Sequence, residues 1–149
     1  MMTRFQILVL LLIPAVAYAK LPPRVKIVAD NEPGQRLIVT GHVFDADGKP
    51  VRVTLYAYHT DAEGLYNPRW SFRREPRLRG SLLTAPDGSY EMDTIKPAPY
   101  PGRNIPAHIH IHLRRDGKDQ EEEIRFEGNG PTICHIVQGR CTVDFRLRR

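Results

Sequence analysis

Residues 108–114 alternate strictly between two kinds of side chain. Histidines occupy positions 108, 110 and 112, and large aliphatic residues occupy the positions between them. Successive side chains of a β-strand point to opposite faces, so this period of two predicts a strand with one face in a hydrophobic core and the other lined by imidazoles. Side chains two residues apart on a strand lie roughly 6.5–7 Å apart. The imidazoles of His108 and His110 can therefore converge on one metal ion.

The rest of the chain predicts an all-β fold. No window of useful length has helical periodicity, and short β-prone runs are separated by turns at 45–50, 86–88 and 116–117, where Gly, Pro and Asp concentrate. Residues 20–35 are expected to be extended without forming a strand, and residues 61–79 to form a long basic loop. The strands are predicted at 36–44, 51–58, 80–84, 89–95, 108–114, 123–126 and 141–147. This pattern is typical of a β-sandwich of short antiparallel strands in a single domain.

The first nineteen residues have the composition of a secretory signal peptide. A short positive start ending at Arg4 precedes an apolar run at 5–16, and Ala17-Tyr18-Ala19 is a small-x-small cleavage site. A single membrane anchor is the alternative, although the apolar run is short for a span. We therefore expect residues 20–149 to be the mature domain, secreted or periplasmic and without a membrane span.

The formal net charge is +5, and part of it is concentrated in five arginines between positions 69 and 79. This cluster can attract anionic substrates, such as aromatic carboxylates, or it can be a solvated surface loop. No nucleic-acid-binding motif is present in the sequence, and export also argues against a nucleic-acid partner.

Cys134 and Cys141 are the two cysteines of the chain. In an oxidising compartment such a pair is expected to form a disulfide, worth about 2.5 kcal/mol on the loop-entropy model. A metal site with two thiolates is the alternative.

Tyr100 adds a third candidate metal ligand. It lies in the segment Pro97-Ala98-Pro99-Tyr100-Pro101, a proline-rich loop shortly before the histidine strand. Its phenolate can reach the same ion as the imidazoles. Phenolate and imidazole ligands suit a hard, oxidised metal such as ferric iron, whereas thiolates select softer metals.

Several ordered segments together resemble the intradiol ring-cleavage dioxygenases, and in particular protocatechuate 3,4-dioxygenase. The similarity extends from about Pro33 to Gly128. The matching segments are Gly41-His42-Val43-Phe44-Asp45, Gly48-Lys49-Pro50-Val51, Thr60-Asp61-Ala62-Glu63-Gly64-Leu65-Tyr66, Arg79-Gly80, Thr84, Asp87-Gly88-Ser89-Tyr90, Thr94 to Pro101, Pro106 to His110, and Phe126-Glu127-Gly128.

The resemblance implies a ferric-iron site and an activity. By motif, the iron ligands are Tyr66, Tyr100, His108 and His110. The implied reaction is cleavage of a catechol-type aromatic by dioxygen between its two hydroxylated carbons, which gives a cis,cis-muconate-type product. Tyr100 is the ligand that the substrate displaces and thus a catalytic residue. The protocatechuate-type enzymes are hetero-oligomers, so an oligomer is also possible here.

Two positions depart from the family pattern. Ile105 stands where the family has an arginine that stabilises charge on the substrate, and Arg103 is the candidate to replace that arginine. Glu123 stands where the family has a glutamine, and a carboxylate there disfavours an anionic ring.

Other histidines are harder to assign. His112 shares a face with His108 and His110, so it can support a ligand, replace one or simply be exposed. His42, His59 and His135 have no partner that the sequence reveals.

The alternative function is a non-catalytic exported β-sandwich, similar to transthyretin-like modules, that binds iron or phenolic ligands. The opening segment at residues 41–51 is common to both classes and does not separate them. Retention of both tyrosines and both histidines favours the enzyme.

Overall fold

The computed structural model describes residues 21–149, so the predicted signal peptide lies outside the described residues. Nine β-strands form two sheets. They are β1 (Arg24–Lys26), β2 (Arg36–Phe44), β3 (Thr54–His59), β4 (Leu78–Leu83), β5 (Ser89–Ile95), β6 (His108–Arg115), β7 (Lys118–Arg125), β8 (Arg140–Thr142) and β9 (Phe145–Arg146).

The strands pack as a β-sandwich, which confirms the predicted fold class. One sheet has the order β1-β5-β2-β8, with β9 also pairing with β2, and the other has the order β4-β3-β6-β7. Aliphatic side chains from both inner faces form one continuous core between the sheets. Ile109, Ile111 and Leu113 of β6 are almost fully buried in it. The histidines of β6 consequently lie on the outer face of the four-stranded sheet, as the alternation predicts.

Within residues 21–149 the structure contains no helix, and therefore none long and apolar enough to cross a membrane.

The strand boundaries differ from the predictions at several places. Strand β3 begins at Thr54 rather than at residue 51, and β4 begins at Leu78, within the predicted basic loop. A three-residue strand, β1, pairs in parallel with β5, and it is too short to show a period in the sequence. Strand β7 begins at Lys118 rather than at residue 123, because the Asp116-Gly117 turn has positive φ at both residues and pairs Arg115 with Lys118. The long polar run that follows this turn hides the strand from a search for apolar alternation.

The predicted strand at 141–147 is divided into β8 and β9. Both segments pair with β2, but between them the Asp144 carboxylate accepts a hydrogen bond of 2.8 Å from the His42 backbone N–H. A side chain thus replaces a backbone carbonyl in the ladder, and the strand is interrupted. The alternate positions Cys141, Val143 and Phe145 are buried in the core.

Cys134 and Cys141 form a disulfide, as predicted. The alternative of a two-thiolate metal site is therefore wrong.

His59, for which the sequence indicated no role, is fully buried at the end of β3. Its Nδ1–H donates to the Thr60 carbonyl at 2.6 Å, so its Nε2 is free to accept a hydrogen bond from the Thr94 hydroxyl at 2.6 Å. Burial lowers the pKa of His59 from the ordinary value of 6.5, and the imidazole is neutral in the folded protein.

We predict that this neutral imidazole makes stability depend on pH. The unfolded chain takes up a proton at His59 below pH 6.5 and the folded chain does so only at lower pH. The contribution is therefore complete well above pH 6.5 and is lost as the pH falls, by up to about 1.4 kcal/mol per pH unit. His59→Gln should be about 1–2 kcal/mol less stable at neutral pH, with a shallower pH dependence. The free energy of unfolding measured in urea at several pH values tests this.

His135→Gln is the matched control, because His135 is exposed. It should retain the pH dependence of the wild type. A wild-type stability that does not fall below pH 6.5 would contradict the prediction.

Candidate metal centre

The start of β6 carries the two histidines of the candidate site. His108 and His110 are half-buried on the outer face of the four-stranded sheet, and Ile109 between them is fully buried in the core. The core contact of Ile109 therefore fixes the direction in which both imidazoles point. Because β6 is paired on both sides, with β3 and with β7, its backbone holds the two side chains in a fixed register.

Tyr66 reaches the site from the loop that follows β3. The Asp61 carboxylate accepts hydrogen bonds from the backbone N–H groups of Glu63 and Leu65, at 2.9 and 3.0 Å. The backbone closes the same turn, since the Asp61 N–H donates to the Leu65 carbonyl at 2.9 Å. This Asp-nucleated turn is what the Asp61-Ala62-Glu63-Gly64 sequence favours, and it directs Tyr66 back over the sheet.

The loop that carries Tyr100 is docked against the Tyr66 loop. The Thr60 hydroxyl donates to the Ala98 carbonyl at 2.7 Å, and the Ala98 N–H donates to the Asp61 carbonyl at 3.1 Å. Gly64 has a φ of +80° and packs so closely on Pro99 that a Cβ atom there would overlap the Pro99 carbonyl. Glycine is therefore required at position 64 for both its backbone conformation and its small size.

Four ligand atoms meet above the start of β6. Tyr66 Oη lies 3.0 Å from His110 Nε2, and Tyr100 Oη lies 3.3 Å from His108 Nε2 and 3.4 Å from His110 Nε2. The two Nε2 atoms are 3.0 Å apart, and the two tyrosine hydroxyls are in direct contact. All four residues predicted from the sequence are thus brought together.

These separations fit a shared metal ion. Metal–nitrogen bonds of about 2.0–2.1 Å, at angles between octahedral and tetrahedral, put neighbouring ligand atoms about 2.9–3.4 Å apart. Phenol oxygens and imidazole nitrogens are also the donor set that suits a hard, oxidised metal. The residues present therefore fit a ferric ion in both geometry and chemistry.

The imidazoles are held in the form that binds a metal. His108 Nδ1–H donates to the Pro106 carbonyl at 2.9 Å, which leaves the lone pair of Nε2 facing the site. Burial, and next the charge of His108, lower the pKa of His110 and favour its neutral form. His108 Nε2 and His110 Nε2 are 3.0 Å apart, a distance that either a shared proton or a shared cation bridges.

The phenol of Tyr66 is in the protonated form when no metal is bound. Burial, and next the hydrogen bond with Tyr100, raise the pKa of Tyr66, so its phenol keeps its proton in the protein alone. A bound trivalent cation reverses this preference because it stabilises the phenolate.

Tyr58 is a supporting residue that the sequence reasoning missed. Its ring stacks on His110, with centroids 4.5 Å apart and an interplanar angle of 14°. Tyr58 and His110 are also direct partners in the β3–β6 register. The signal was available in the sequence, because the alternation of residues 51–58 assigns Tyr58 to the outer face.

Glu123, the departure noted in the sequence, lies beside the imidazoles. It faces His110 across the β6–β7 pair, and its carboxylate forms a compact group with His108 and His110, with ligand atoms within 4.8 Å of one another. Glu123 Oε2 accepts hydrogen bonds from Arg125 Nε at 3.0 Å and from Arg125 Nη2 at 2.8 Å. Burial opposes ionisation, but the Arg125 bonds and the charge of His108 still hold the pKa of Glu123 below its ordinary value.

An open cleft of about 390 Å³ adjoins the site along β6 and β7. Glu121, Glu122 and Glu123 line it together with His110 and His112, and Arg125 is the basic residue of its lining. The cleft is therefore acidic. Arg77 and Arg79, predicted in the basic loop, do not line this cleft. Arg77 forms ion pairs with Glu32 and Asp61, and Arg79 forms one with Glu75.

The remaining predicted residues lie outside the group of four ligand atoms. Arg103 is exposed and contacts Tyr100 through its backbone N–H, which donates to the Tyr100 carbonyl at 3.2 Å. Ile105 is also exposed. His112 is further along the same face of β6, and its Nδ1 is 2.9 Å from Asp119 Oδ1, so it is engaged away from the other two imidazoles.

Comparison with known proteins identifies the family. A family model described as dioxygenase matches residues 17–144. The protocatechuate 3,4-dioxygenase beta chain of Burkholderia cepacia is 38% identical over 128 residues, which cover 75% of this chain and 54% of that protein. The chlorocatechol 1,2-dioxygenase of Rhodococcus opacus is 32% identical over 121 residues, covering 66% of this chain and 46% of that protein. This chain belongs to the intradiol ring-cleavage dioxygenase family.

A solved structure extends the similarity to nearly the whole fold. The dioxygenase domain of a dioxygenase carbohydrate-binding protein fusion from Streptomyces sp. SirexAA-E superposes with a TM-score of 0.69 at 27% identity, covering 87% of this chain and 90% of that domain. In contrast, this chain spans about half the length of the curated relatives that it matches.

We predict that His110 and His112, on the same face of β6, differ in their effect on iron binding. His110→Ala removes one of the two imidazoles of the site, so the variant should lose most of its iron. His112→Ala is the matched control and should keep the wild-type content, because His112 is bound to Asp119. Iron per chain, measured by atomic emission after loading with ferric citrate and desalting, tests this. Full iron in His110→Ala would show that the ligand assignment is wrong.

Proposed function

We propose that this protein is a ferric-iron-dependent intradiol dioxygenase, which cleaves a catechol-type aromatic with dioxygen to a cis,cis-muconate-type product. The observation that carries the proposal is the convergence of Tyr66, Tyr100, His108 and His110 on one point. A module that binds only phenolic ligands needs no such set of two phenols and two imidazoles. Family membership supports the same conclusion.

The imidazoles and the two tyrosines have different roles in binding iron and accepting substrate. His108 and His110 supply neutral nitrogen ligands on a rigid strand. Tyr66 and Tyr100 would hold a ferric ion as phenolates, and that ion would supply the chemistry that makes a catechol reactive toward dioxygen. Tyr66 would remain bound to the ion. Tyr100, on a loop whose neighbours Pro101 and Gly102 are exposed, would give up its position to the substrate, and its oxygen would accept one of the two catechol protons while the other passes to solvent.

The acidic cleft limits the substrate class. A substrate ring bound at the site extends over Glu121 and Glu123, and a ring carboxylate there meets like charges. The guanidinium of Arg125 offsets the charge of Glu123, but Glu121 forms no ion pair among residues 21–149, so the cleft keeps a net negative charge. We therefore infer that the substrate is an uncharged catechol or hydroxyquinol rather than protocatechuate.

The predicted signal peptide supports a secreted or periplasmic location for this reaction. The enzyme then acts on phenolic compounds outside the cytoplasm, and the disulfide between Cys134 and Cys141 suits that compartment.

Oxygen uptake by the iron-loaded protein is the experiment that tests the function. We expect uptake with catechol and hydroxyquinol, a ring-opened diacid as product, and little uptake with protocatechuate. A sample that contains one iron per chain but consumes no oxygen with any of the three would support the non-catalytic binding module instead.

We predict that Glu123→Gln improves catechol turnover. Removing a negative charge from beside the imidazoles lowers repulsion of the catecholate, and we expect a gain of about tenfold in kcat/KM, which corresponds to about 1.4 kcal/mol. Glutamine can still accept the hydrogen bond from Arg125. Initial rates of oxygen uptake against catechol concentration measure the effect.

Glu121→Gln is the matched control, because Glu121 lies on the same strand but faces His112. It should change kcat/KM much less than Glu123→Gln does. Equal effects from the two variants would mean that the charge of the cleft as a whole, and not the position of Glu123, sets the rate.

A further inference from the structure

The loop at residues 67–76, which we call the aromatic tip, presents two large apolar side chains to solvent. Trp70 is 81% exposed and Phe72 is fully exposed. Both values far exceed those usual for side chains of this size, and burying either would remove a large apolar area from water. The metal centre uses neither residue.

The aromatic tip has a defined backbone structure. The side-chain amide of Asn67 donates to the carbonyls of Arg73 and Glu75, at 3.2 and 2.9 Å, and so bridges the two ends of the tip. The Ser71 N–H donates to the Pro68 carbonyl at 2.8 Å. These bonds hold the segment between Pro68 and Arg73 as a protruding turn, so exposure of both aromatic rings is a property of the folded loop.

Positive charge surrounds the two rings. Arg69, Arg73 and Arg74 are exposed, and their side chains form no ion pair among residues 21–149. Residues 67–74 contain no carboxylate, and the adjacent Glu75 is paired with Arg79 at 2.7 Å. The tip therefore carries three uncompensated guanidinium groups within six residues.

We propose that the aromatic tip docks this protein on a bilayer surface that carries anionic phospholipid headgroups. Tryptophan and phenylalanine partition into the boundary between headgroups and acyl chains, and arginines beside them bind phosphate groups. Each arginine near an anionic bilayer is worth about fivefold in partitioning. A protein partner fits less well, because a stable interface buries about 800 Å² on each side, more than two side chains on a narrow turn supply.

The base of the aromatic tip adjoins a candidate metal ligand. The Arg77 N–H donates to the Tyr66 carbonyl at 2.9 Å, so the loop that contains the tip closes on Tyr66. The tip and this candidate ligand are thus joined by a short, closed segment. Docking through the exposed loop does not require that the protein turn over catechols.

The single tryptophan of the chain is Trp70, so its fluorescence reports on the tip directly. We expect a blue shift and co-sedimentation when the full folded protein is mixed with vesicles of phosphatidylglycerol and phosphatidylcholine in equal parts. Vesicles of phosphatidylcholine alone should bind it at least tenfold more weakly. Added salt should weaken binding to the anionic vesicles, because the guanidinium contribution is screened.

Two variants test the two parts of the tip with Trp70 intact. Phe72→Ser should weaken binding to the anionic vesicles several-fold, and the double variant Arg73→Gln/Arg74→Gln should weaken it by about 25-fold, the product of two fivefold contributions. Val137→Ser and Lys118→Gln are the matched controls, because both residues are exposed outside the tip. Both controls should bind as the wild type does. Thermal melting checks that all variants fold.

Three results would overturn the proposal. The first is no blue shift and no co-sedimentation with the anionic vesicles. The second is equal binding to both kinds of vesicle. The third is self-association without lipid, seen by light scattering and abolished by Trp70→Ser, which would assign the tip to contacts with a second copy of the chain.

Discussion

The alternation of side chains along β6 joins the hydrophobic core to the candidate metal centre. Ile109 is buried between the sheets, and its neighbours His108 and His110 consequently project from the opposite face. A shift of one residue in the strand register would bury the imidazoles and expose the aliphatic side chains, at a large cost in free energy. The burial of one face therefore enforces the geometry of the other. Pairing with β3 on one side and β7 on the other then determines which groups surround the imidazoles, Tyr58 from one strand and Glu123 from the other.

The second constraint is the contact between the two loops that carry tyrosines. Hydrogen bonds from Thr60 and Ala98 and the close approach of Gly64 to Pro99 bind these loops to each other. The phenol groups thus meet through loop–loop contacts and reach the imidazoles as a pair. His59 is buried where the Tyr66 loop leaves β3, and its hydrogen bond with Thr94 also stabilises the position of this loop. This arrangement separates the rigid nitrogen ligands of the strand from the loop-borne oxygen ligands, one of which is expected to leave when substrate binds.

The sequence was sufficient to predict the fold class and the convergence of the four candidate ligands, for different reasons. Period-two patterns revealed the strands that have one buried face, β2, β3, β5 and β6, whereas β1 is too short and β7 too polar to show one. The resemblance assigned Tyr66, which no local pattern distinguishes from an ordinary loop tyrosine. The pairing of Glu123 with Arg125, the stacking of Tyr58 on His110 and the acidic cleft depend on the register between strands. A one-dimensional pattern does not contain that register, so these features could not be read in advance. The engagement of His112 by Asp119 likewise depends on the β6–β7 hairpin.

The most direct test of the central claim is the visible spectrum of the protein during titration with ferric iron. Coordination by Tyr66 and Tyr100 predicts a phenolate-to-iron charge-transfer band that grows until one iron is bound per chain and gives a burgundy to red-brown colour. Tyr100→Phe should shift and weaken this band, and the double variant Tyr66→Phe/Tyr100→Phe should abolish it. Tight binding of one ferric ion per chain with no visible band in the wild type would contradict the account, because the ion would then be held by other residues.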